Sequence, residues 1–154
     1  MFDGMDYAIT ITTVWLEDTL LWIPWPSLIL LVGLISLLVA GWRISLFSVL
    51  SLLLIGFLGR WESSVETLAL IILAVLLSVA IALPLGVLGA RKNSVDSIMR
   101  PILDGMQTMP SYVYLVPGIL FFGLGHTPAV IATVIYAVPP AIRLTNLGIR
   151  QVSP

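Results

Sequence analysis

Four long stretches of the sequence contain no Asp, Glu, Lys or Arg, and they limit how the chain can fold. These stretches are residues 19–42, 44–59, 67–90 and 105–142. At about 1.5 Å of rise per residue, a helix over the first stretch exceeds the roughly 30 Å hydrocarbon core of a bilayer. Charged residues make up only 10% of the chain, too few to cover a water-facing surface. The sequence therefore predicts an integral membrane protein.

The same stretches predict an all-α bundle of about five membrane-spanning helices. Arg43 and Arg60 flank the shortest stretch and can extend its usable length by snorkelling. The stretch 105–142 is too long for one span, and the Gly- and Pro-containing segment 123–128 is the obvious turn within it. We expect helices near residues 20–42, 44–60, 64–90, 106–123 and 128–144.

Proline residues predict irregularities in two of these helices. Pro84 lies in the last third of the third helix, where its missing amide donor predicts a kink. Pro139 and Pro140 predict a break or a bend in the fifth helix. Because proline is tolerated in membrane helices, a passive kink needs no functional explanation.

The basic residues predict the orientation, because Lys and Arg in short loops favour the cytoplasmic side. An external N-terminus leaves only Arg60 outside. The other six of the seven basic residues are then cytoplasmic: Arg43, Arg91, Lys92, Arg100, Arg143 and Arg150. The first ten residues contain Asp3 and Asp6 but no basic residue, so they lack the basic region of a signal peptide. We expect this segment to be retained outside, with segment 123–128 also outside and the C-terminal end in the cytoplasm.

The segment 100–114, RPILDGMQTMPSYVY, is the most polar one that enters a predicted span. Its candidate contacts with a solute path are Asp104, Gln107, Ser111, Tyr112 and Tyr114. On one continuous helix all except Tyr112 fall within an arc of about 80°, provided that Pro110 does not interrupt the helix. Polar side chains at membrane depth either pack helices together or line a solute path, and both interpretations stay open.

Two further side-chain patterns near this segment each have two interpretations. Tyr112, Tyr114 and Tyr136 are suited to contact a quaternary ammonium solute by cation–π attraction, although Tyr is common at bilayer interfaces without such a role. Arg100 and Asp104 stand four residues apart and are spaced for an ion pair, although an exposed pair of this kind contributes little.

Several kinds of chemistry are disfavoured by what the sequence lacks. There is no Cys and a single His, His126, so thiolate sites and paired-His metal sites are excluded, and we expect no metal or cofactor. A GxxxxGK[ST] loop is absent, so any energy from nucleotide hydrolysis must come from a partner. Ser, His and carboxylate residues do not cluster as a nucleophile, a base and an orienting group, which argues against an enzyme.

Residues 99–117, MRPILDGMQTMPSYVYLVP, resemble a segment of the permeases of bacterial glycine betaine/proline betaine ABC importers. ALPLGV at 82–87, FGLG at 122–125 and AVPPAIRLT at 137–145 are similar to the same family in the same order. The resemblance implies that residues 64–154 are the N-terminal part of a type I (MetI-like) ABC transmembrane domain, preceded by a segment 1–63 with two membrane helices.

The resemblance also implies the partners and the location of the chain. Such permeases work in pairs in the bacterial inner membrane, with cytoplasmic ATPase subunits and an extracytoplasmic substrate-binding protein, and they import compatible solutes for osmoprotection. Members of the family continue into a cytoplasmic coupling helix and further spans, so a second permease copy or a C-terminal half is an expected partner. The alternatives are a truncated, non-transporting membrane fragment or scaffold and, with less support, a small membrane enzyme.

Overall fold

A computed structural model describes residues 3–152, and these residues form seven helices and no strand. The helices are α1 (Asp3–Trp22), α2 (Trp25–Ala40), α3 (Trp42–Phe57), α4 (Trp61–Arg91), α5 (Asn93–Thr108), α6 (Tyr112–Phe122) and α7 (His126–Gln151). The predicted all-α class is confirmed. The two chain ends, whose sides of the membrane were predicted, include residues 1–2 and 153–154, which lie outside the described residues.

The first predicted helix, 20–42, was wrong in its extent. The structure divides this region between α1 and α2, which are bent by 89° at a short break. Pro24 is the N-cap of α2 and Pro26 lies in its first turn, where a missing amide donor costs nothing. Residues that precede a proline are driven out of the helical region, so α1 ends before Pro24. The helix over the acidic N-terminal residues was not predicted.

Residues 12–69 form one compact unit, in which α2 and α3 pack as a hairpin. Gly41 joins the two helices with a φ of +87°, a conformation that favours glycine. The Ser45 hydroxyl on α3 donates a 2.7 Å hydrogen bond to the carbonyl oxygen of Gly33 on α2. A Cβ atom at Gly33 would lie 2.7 Å from Val49, so this close approach also requires a small residue.

The second compact unit combines the start of α1, up to Ile11, with the chain from Leu70 onward. Its core consists of Ala82, Leu103, Val138 and Ile142, contributed by α4, α5 and α7. Helices α6 and α7 form a hairpin through a turn in which Gly123 has a φ of +77°. The position of the predicted turn at 123–128 is therefore confirmed. The turn is shorter than predicted, because α7 already begins at His126.

The proline residues of α4 and α7 do not interrupt these helices. Helix α4 continues through Pro84 to Arg91, and α7 continues through Pro139 and Pro140 to Gln151. The predicted end of the fifth helix near residue 144 was therefore wrong. Pro139 is buried, and packing within the unit holds this part of α7 helical although the ring removes an amide donor.

Pro110 has the opposite effect on the predicted helix 106–123. Met109, which precedes it, has an extended conformation with φ −85° and ψ 133°. This is the conformation that the proline ring imposes on the preceding residue, and α5 ends at Thr108. Helix α6 starts only at Tyr112, so the prediction of one helix over 106–123 was wrong.

Two of the helices in the described part of the chain, α4 and α7, are long and apolar enough to cross a membrane. Helices α1 and α2 supply a third span if the bent pair is counted as one. Helices α3 and α6 are apolar but shorter than a full span. The sequence predicted about five membrane-spanning helices, whereas the described residues have two or three full-length ones together with two shorter apolar helices.

Candidate solute path and the polar cluster beside it

The break at residues 109–111 separates the five residues that the sequence predicted as path contacts. Asp104 and Gln107 lie on α5, Tyr112 and Tyr114 lie on α6, and Ser111 is the N-cap residue of α6. The interpretation as one polar stripe on a continuous helix was therefore wrong, since the phase changes at Pro110. The structure gives these residues different surroundings.

Tyr114 holds the two sides of the break together. Its hydroxyl donates a 2.9 Å hydrogen bond to the carbonyl oxygen of Met106, in the last turn of α5. Carbonyls in the last turn of a helix lack partners within the helix, so this contact satisfies one of them. Tyr114 is thus a packing residue in this structure, which is one of the two interpretations that the sequence left open.

Ser111 and Tyr112 line a cleft between α6 and α7. The cleft has a volume of about 430 Å³, and the other residues lining it are Leu115, Ala129, Ala132, Thr133 and Tyr136. The sequence indicated Tyr136 as an aromatic contact for a cation, but it did not indicate Thr133 as a candidate site residue. A weak signal for Thr133 existed, because it precedes Tyr136 by three residues and shares its helix face.

The cleft lies well inside the length of α7. Tyr136 follows the first residue of this helix, His126, by ten residues, or about 15 Å of helix rise, which is half of a roughly 30 Å hydrocarbon core. Irregular backbone at such a depth is tolerated where it is buried in protein or lines a watery cavity. The break before α6 meets this condition, because its residue Ser111 lines the cleft.

Asp104 and Gln107 lie outside this cleft. Asp104 lines a separate cavity of about 430 Å³ between α5 and α7, and it forms an ion pair with Arg143 of α7. Both side chains of the pair are exposed, by 62% and 43%. Gln107 is exposed and lines neither cavity. The Arg100–Asp104 ion pair that the spacing allowed is not formed within residues 3–152, because Arg100 pairs with Asp96 and Asp104 pairs with Arg143.

The partner of Arg100 is Asp96, one turn earlier on α5. The Nη2 and Nε atoms of Arg100 lie 2.6 and 3.0 Å from Oδ2 of Asp96. This order, with the acid four residues before the base, is the favourable one on a helix. The spacing of Asp96 and Arg100 is visible in the sequence and is the signal by which this pair could have been predicted.

Asp96 is also the centre of a cluster that joins three helices. Its Oδ1 accepts a 2.7 Å hydrogen bond from Asn146 of α7, and the Asn146 oxygen accepts one of 2.7 Å from Arg150. Arg150 further donates to the Gly89 carbonyl near the end of α4 and to the Asn93 side chain. We call Asn93, Asp96, Arg100, Asn146 and Arg150 the polar cluster.

The electrostatics of the polar cluster favour charged Asp96. The hydrogen bond from Arg100 is the main cause that holds the pKa of Asp96 below its ordinary value, with further help from the charge of Arg150 and the amide of Asn146. The same pairing raises the pKa of Arg100. With both partners ionised at neutral pH, the cluster is suited to hold α4, α5 and α7 together rather than to transfer protons.

Comparison with known proteins bears on the same region. Residues 82–154 match the family model for the binding-protein-dependent transport system inner membrane component. The family resemblance expected from the sequence is confirmed. The match includes α5, α6 and α7, and therefore both the cleft and the polar cluster. It begins after residue 64, so the predicted domain boundary at 63/64 stays a prediction.

Three curated relatives extend the similarity. The chain is 44% identical to the glycine betaine/carnitine transport permease of Listeria monocytogenes over 99% of the chain and 57% of the relative. It is 41% identical to the glycine betaine/proline betaine transport system permease of Escherichia coli over 99% of the chain and 43% of the relative. It is 49% identical to the glycine betaine transport system permease of Bacillus subtilis over 71% of the chain and 39% of the relative. The chain thus spans about half the length of these relatives or less.

Proposed function

We propose that the chain supplies the N-terminal part of the membrane-spanning permease of an ABC importer for glycine betaine, proline betaine or a related quaternary ammonium solute. The similarity of nearly the whole chain to permeases that are named for glycine betaine carries this proposal. The break between α5 and α6, beside the uncharged cleft of the second compact unit, supports it. The proposed activity is ATP-driven transport by alternating access, without bond chemistry on the solute.

The proposed assembly includes partners that supply what the chain lacks. Cytoplasmic ATPase subunits provide the energy, an extracytoplasmic binding protein delivers the solute, and a second permease copy or the remaining part of the permease completes the path. We propose residues 64–154 as the part that belongs to the ABC transmembrane domain and residues 1–63 as a preceding membrane segment. Within this assembly Ser111 and Tyr112 lie along the solute path in the cleft, Asp104 and Gln107 lie along it outside the cleft, and Tyr114, the fifth residue named from the sequence, holds the break between α5 and α6 together.

The proposed orientation has an external N-terminus and a cytoplasmic end of α7. Two groups of contacts support it, one at each end of α7. The Thr127 hydroxyl lies 3.5 Å from the Asp6 carbonyl oxygen and 3.4 Å from the Thr10 hydroxyl, which brings the start of α1 to the start of α7. At the other end, Arg150 contacts the end of α4. The basic residues around that end therefore gather on one side, as expected for the cytoplasmic face.

The deciding experiment measures uptake of radiolabelled glycine betaine at high osmolarity in a bacterium that lacks betaine transport. One strain expresses the chain with the remaining part of the permease, the cognate ATPase and the binding protein, and a matched strain lacks only the chain. A third strain carries an ATPase whose phosphate-binding lysine is replaced. We expect uptake in the first strain alone. Equal uptake in all three, with the chain verified in the membrane, would mean that it is a non-transporting fragment or scaffold.

A second experiment separates path lining from helix packing. Because the chain has no native Cys, the single substitutions Asp104→Cys, Gln107→Cys and Ser111→Cys each give this chain one thiol, whose labelling is measured on the chain after the assembled transporter has reacted. Path residues should react with water-soluble thiol reagents, whereas Leu38→Cys, on the apolar helix α2, should stay silent. Silence at all three test positions would favour plain packing.

Reporter fusions test the proposed orientation independently. A fusion after residue 154 should report the cytoplasm and one within 123–128 the outside. The reverse pattern would contradict the orientation without affecting the proposed transport activity.

A further inference from the structure

The cleft between α6 and α7 has a composition that selects for one kind of ligand. No Asp, Glu, Lys or Arg of the described residues 3–152 lines it, and its polar groups are hydroxyls from Ser111, Tyr112, Thr133 and Tyr136. The two tyrosines come from facing helices and are exposed, Tyr112 by 72% and Tyr136 by 52%. Two aromatic rings are therefore available to a ligand in an otherwise uncharged cleft.

The chemistry of a trimethylammonium group matches the lining of this cleft. Its nitrogen bears no hydrogen, so it cannot donate the hydrogen bonds by which primary ammonium groups are usually held. Its positive charge spreads over the methyl groups, and the face of an aromatic ring attracts such a charge within about 6 Å of the ring centroid. A cation of this kind needs rings rather than a carboxylate.

The hydroxyls suit the carboxylate end of a betaine. The Thr133 hydroxyl already donates to the carbonyl oxygen of Ala129, at 2.7 Å. The Ser111 hydroxyl does not cap α6, and within residues 3–152 it forms no hydrogen bond, so its proton is available. Ser111 directly precedes Tyr112, the first residue of α6, so a carboxylate that accepts this proton lies close to the start of α6.

We propose that Tyr112 and Tyr136 hold the trimethylammonium group of the solute in this cleft and that Ser111 donates to its carboxylate. The inference rests on the proposed transport function and adds Tyr136 to the residues of the path. Both tyrosines are exposed, so each cation–π contact contributes little and we expect weak binding. Weak binding suits a path, since a solute must enter a site and also leave it.

Tyrosine resonances provide a direct test on the intact chain in lipid nanodiscs. The chain has four tyrosines, Tyr7, Tyr112, Tyr114 and Tyr136, so ring ¹³C signals can be assigned with single Tyr→Phe variants. Titration with glycine betaine or with tetramethylammonium should shift the signals of Tyr112 and Tyr136. The signals of Tyr7 and Tyr114 should stay in place, because neither ring lines the cleft.

A carbon isostere controls for shape. The anion 3,3-dimethylbutanoate has the outline of glycine betaine but lacks the positive charge, so it should shift neither tyrosine. An equal shift by the isostere would mean that the cleft binds these molecules by apolar contact and not by cation–π attraction, and it would overturn the proposal. The proposal would also be overturned if glycine betaine shifted none of the four signals or all four alike.

Variants test the energetic role of each ring. Tyr136→Leu and Tyr112→Leu should each weaken glycine betaine binding about two- to fivefold, the range expected for one ring at an exposed site. Tyr136→Phe should retain the affinity, because the ring face remains. Tyr7→Leu is the matched control, with an exposed tyrosine away from the cleft, and should have no effect. Unchanged affinity in both leucine variants would contradict the assignment.

These results are separable from those for the proposed function. Selective shifts of the Tyr112 and Tyr136 signals without uptake in the transport assay would support the ammonium site and contradict the proposed transport function. Uptake without selective shifts would retain the transport role and place the solute contacts elsewhere.

Discussion

The crossing of α4 and α7 at Gly86 allows a prediction whose size follows from the structure. A Cβ atom at Gly86 would lie 2.6 Å from Cβ of Thr145 and 3.1 Å from the carbonyl oxygen of Ile142. A change of rotamer moves neither atom, because the backbone fixes both. Gly86→Ala must therefore push the two helices apart or distort one of them.

The expected loss of stability is the balance of two effects. Alanine in place of glycine inside a helix gains about 1 kcal/mol. Inserting a carbon into a packed contact costs about 1–3 kcal/mol, and the rigid partner atoms place Gly86→Ala in the upper part of that range. The net expectation is a destabilisation of about 1–2 kcal/mol, which changes the ratio of folded to unfolded protein by roughly 5- to 30-fold.

Gly148 is a matched control on α7, since nothing lies within 4 Å of a Cβ atom built there. Gly148→Ala should therefore gain stability by about 0.5–1 kcal/mol from helix propensity alone. Equilibrium unfolding in mixed detergent micelles, followed by far-ultraviolet circular dichroism, measures both variants. Thr145→Gly combined with Gly86→Ala removes the clashing carbon, so the pair should be less destabilised than the sum of the single changes. The reasoning would be refuted if Gly86→Ala stabilised the protein as Gly148→Ala does.

Three further predictions use the same unfolding assay. Asp96→Asn should destabilise the protein at neutral pH, because it removes the charged partner of Arg100 and Arg150. Pairing lowers the pKa of Asp96, so the stability that its charge contributes is complete above the unfolded pKa of about 3.9 and is lost as the pH falls through the lowered pKa. The difference from wild type should therefore shrink under acid, and a pH-independent difference would contradict it. Neutralising either exposed partner of the Asp104–Arg143 pair should cost about 0.2–1 kcal/mol, and exchanging the two charges should recover this loss. A loss above about 2 kcal/mol would contradict this expectation, because only a desolvated pair contributes that much. Ser45→Ala should cost about 1 kcal/mol by removing the hydrogen bond to α2, whereas Ser48→Ala, which removes no hydrogen bond within residues 3–152, should be near neutral.

Much of the helical framework could be predicted, because long apolar stretches between charges leave few alternatives. The stretches 44–59 and 67–90 correspond closely to α3 and α4. Helix α1 was missed because its acidic start was interpreted as an external tail, although nothing in its composition prevents a helix. Its only fully buried residue is Thr13, so an apolar pattern gave little sign of it.

The effects of proline were harder to predict, because the same ring has different consequences in different surroundings. Pro110 ends α5, as local backbone rules require. The same local rule would end α7 at Pro139 and Pro140, but these residues lie within a packed helix, where contacts with the rest of the unit retain the helical conformation. Tertiary packing decides between these outcomes, and the sequence alone does not give that packing.

The partners of charged residues were also not predictable from spacing. Asp104 has a suitable neighbour four residues before it, Arg100, yet pairs with Arg143, 39 residues away in sequence. Arg100 in turn pairs with Asp96. Both local pairings are compatible with a helix, and the position of α7 beside α5 selects between them.

The break before α6 gives the two parts of one polar segment different surroundings. On a continuous helix its polar side chains would share one face, and a single role, packing or path lining, would apply to all of them. With the break, the Tyr114 hydroxyl turns back to α5, whereas Ser111 and Tyr112 line the cleft. All five charged side chains of α5 and α7 are held in ion pairs: Asp96, Arg100, Asp104, Arg143 and Arg150. These charges lie outside the cleft, so a zwitterionic solute there meets rings and hydroxyls but no fixed charge that would hold it too tightly to leave.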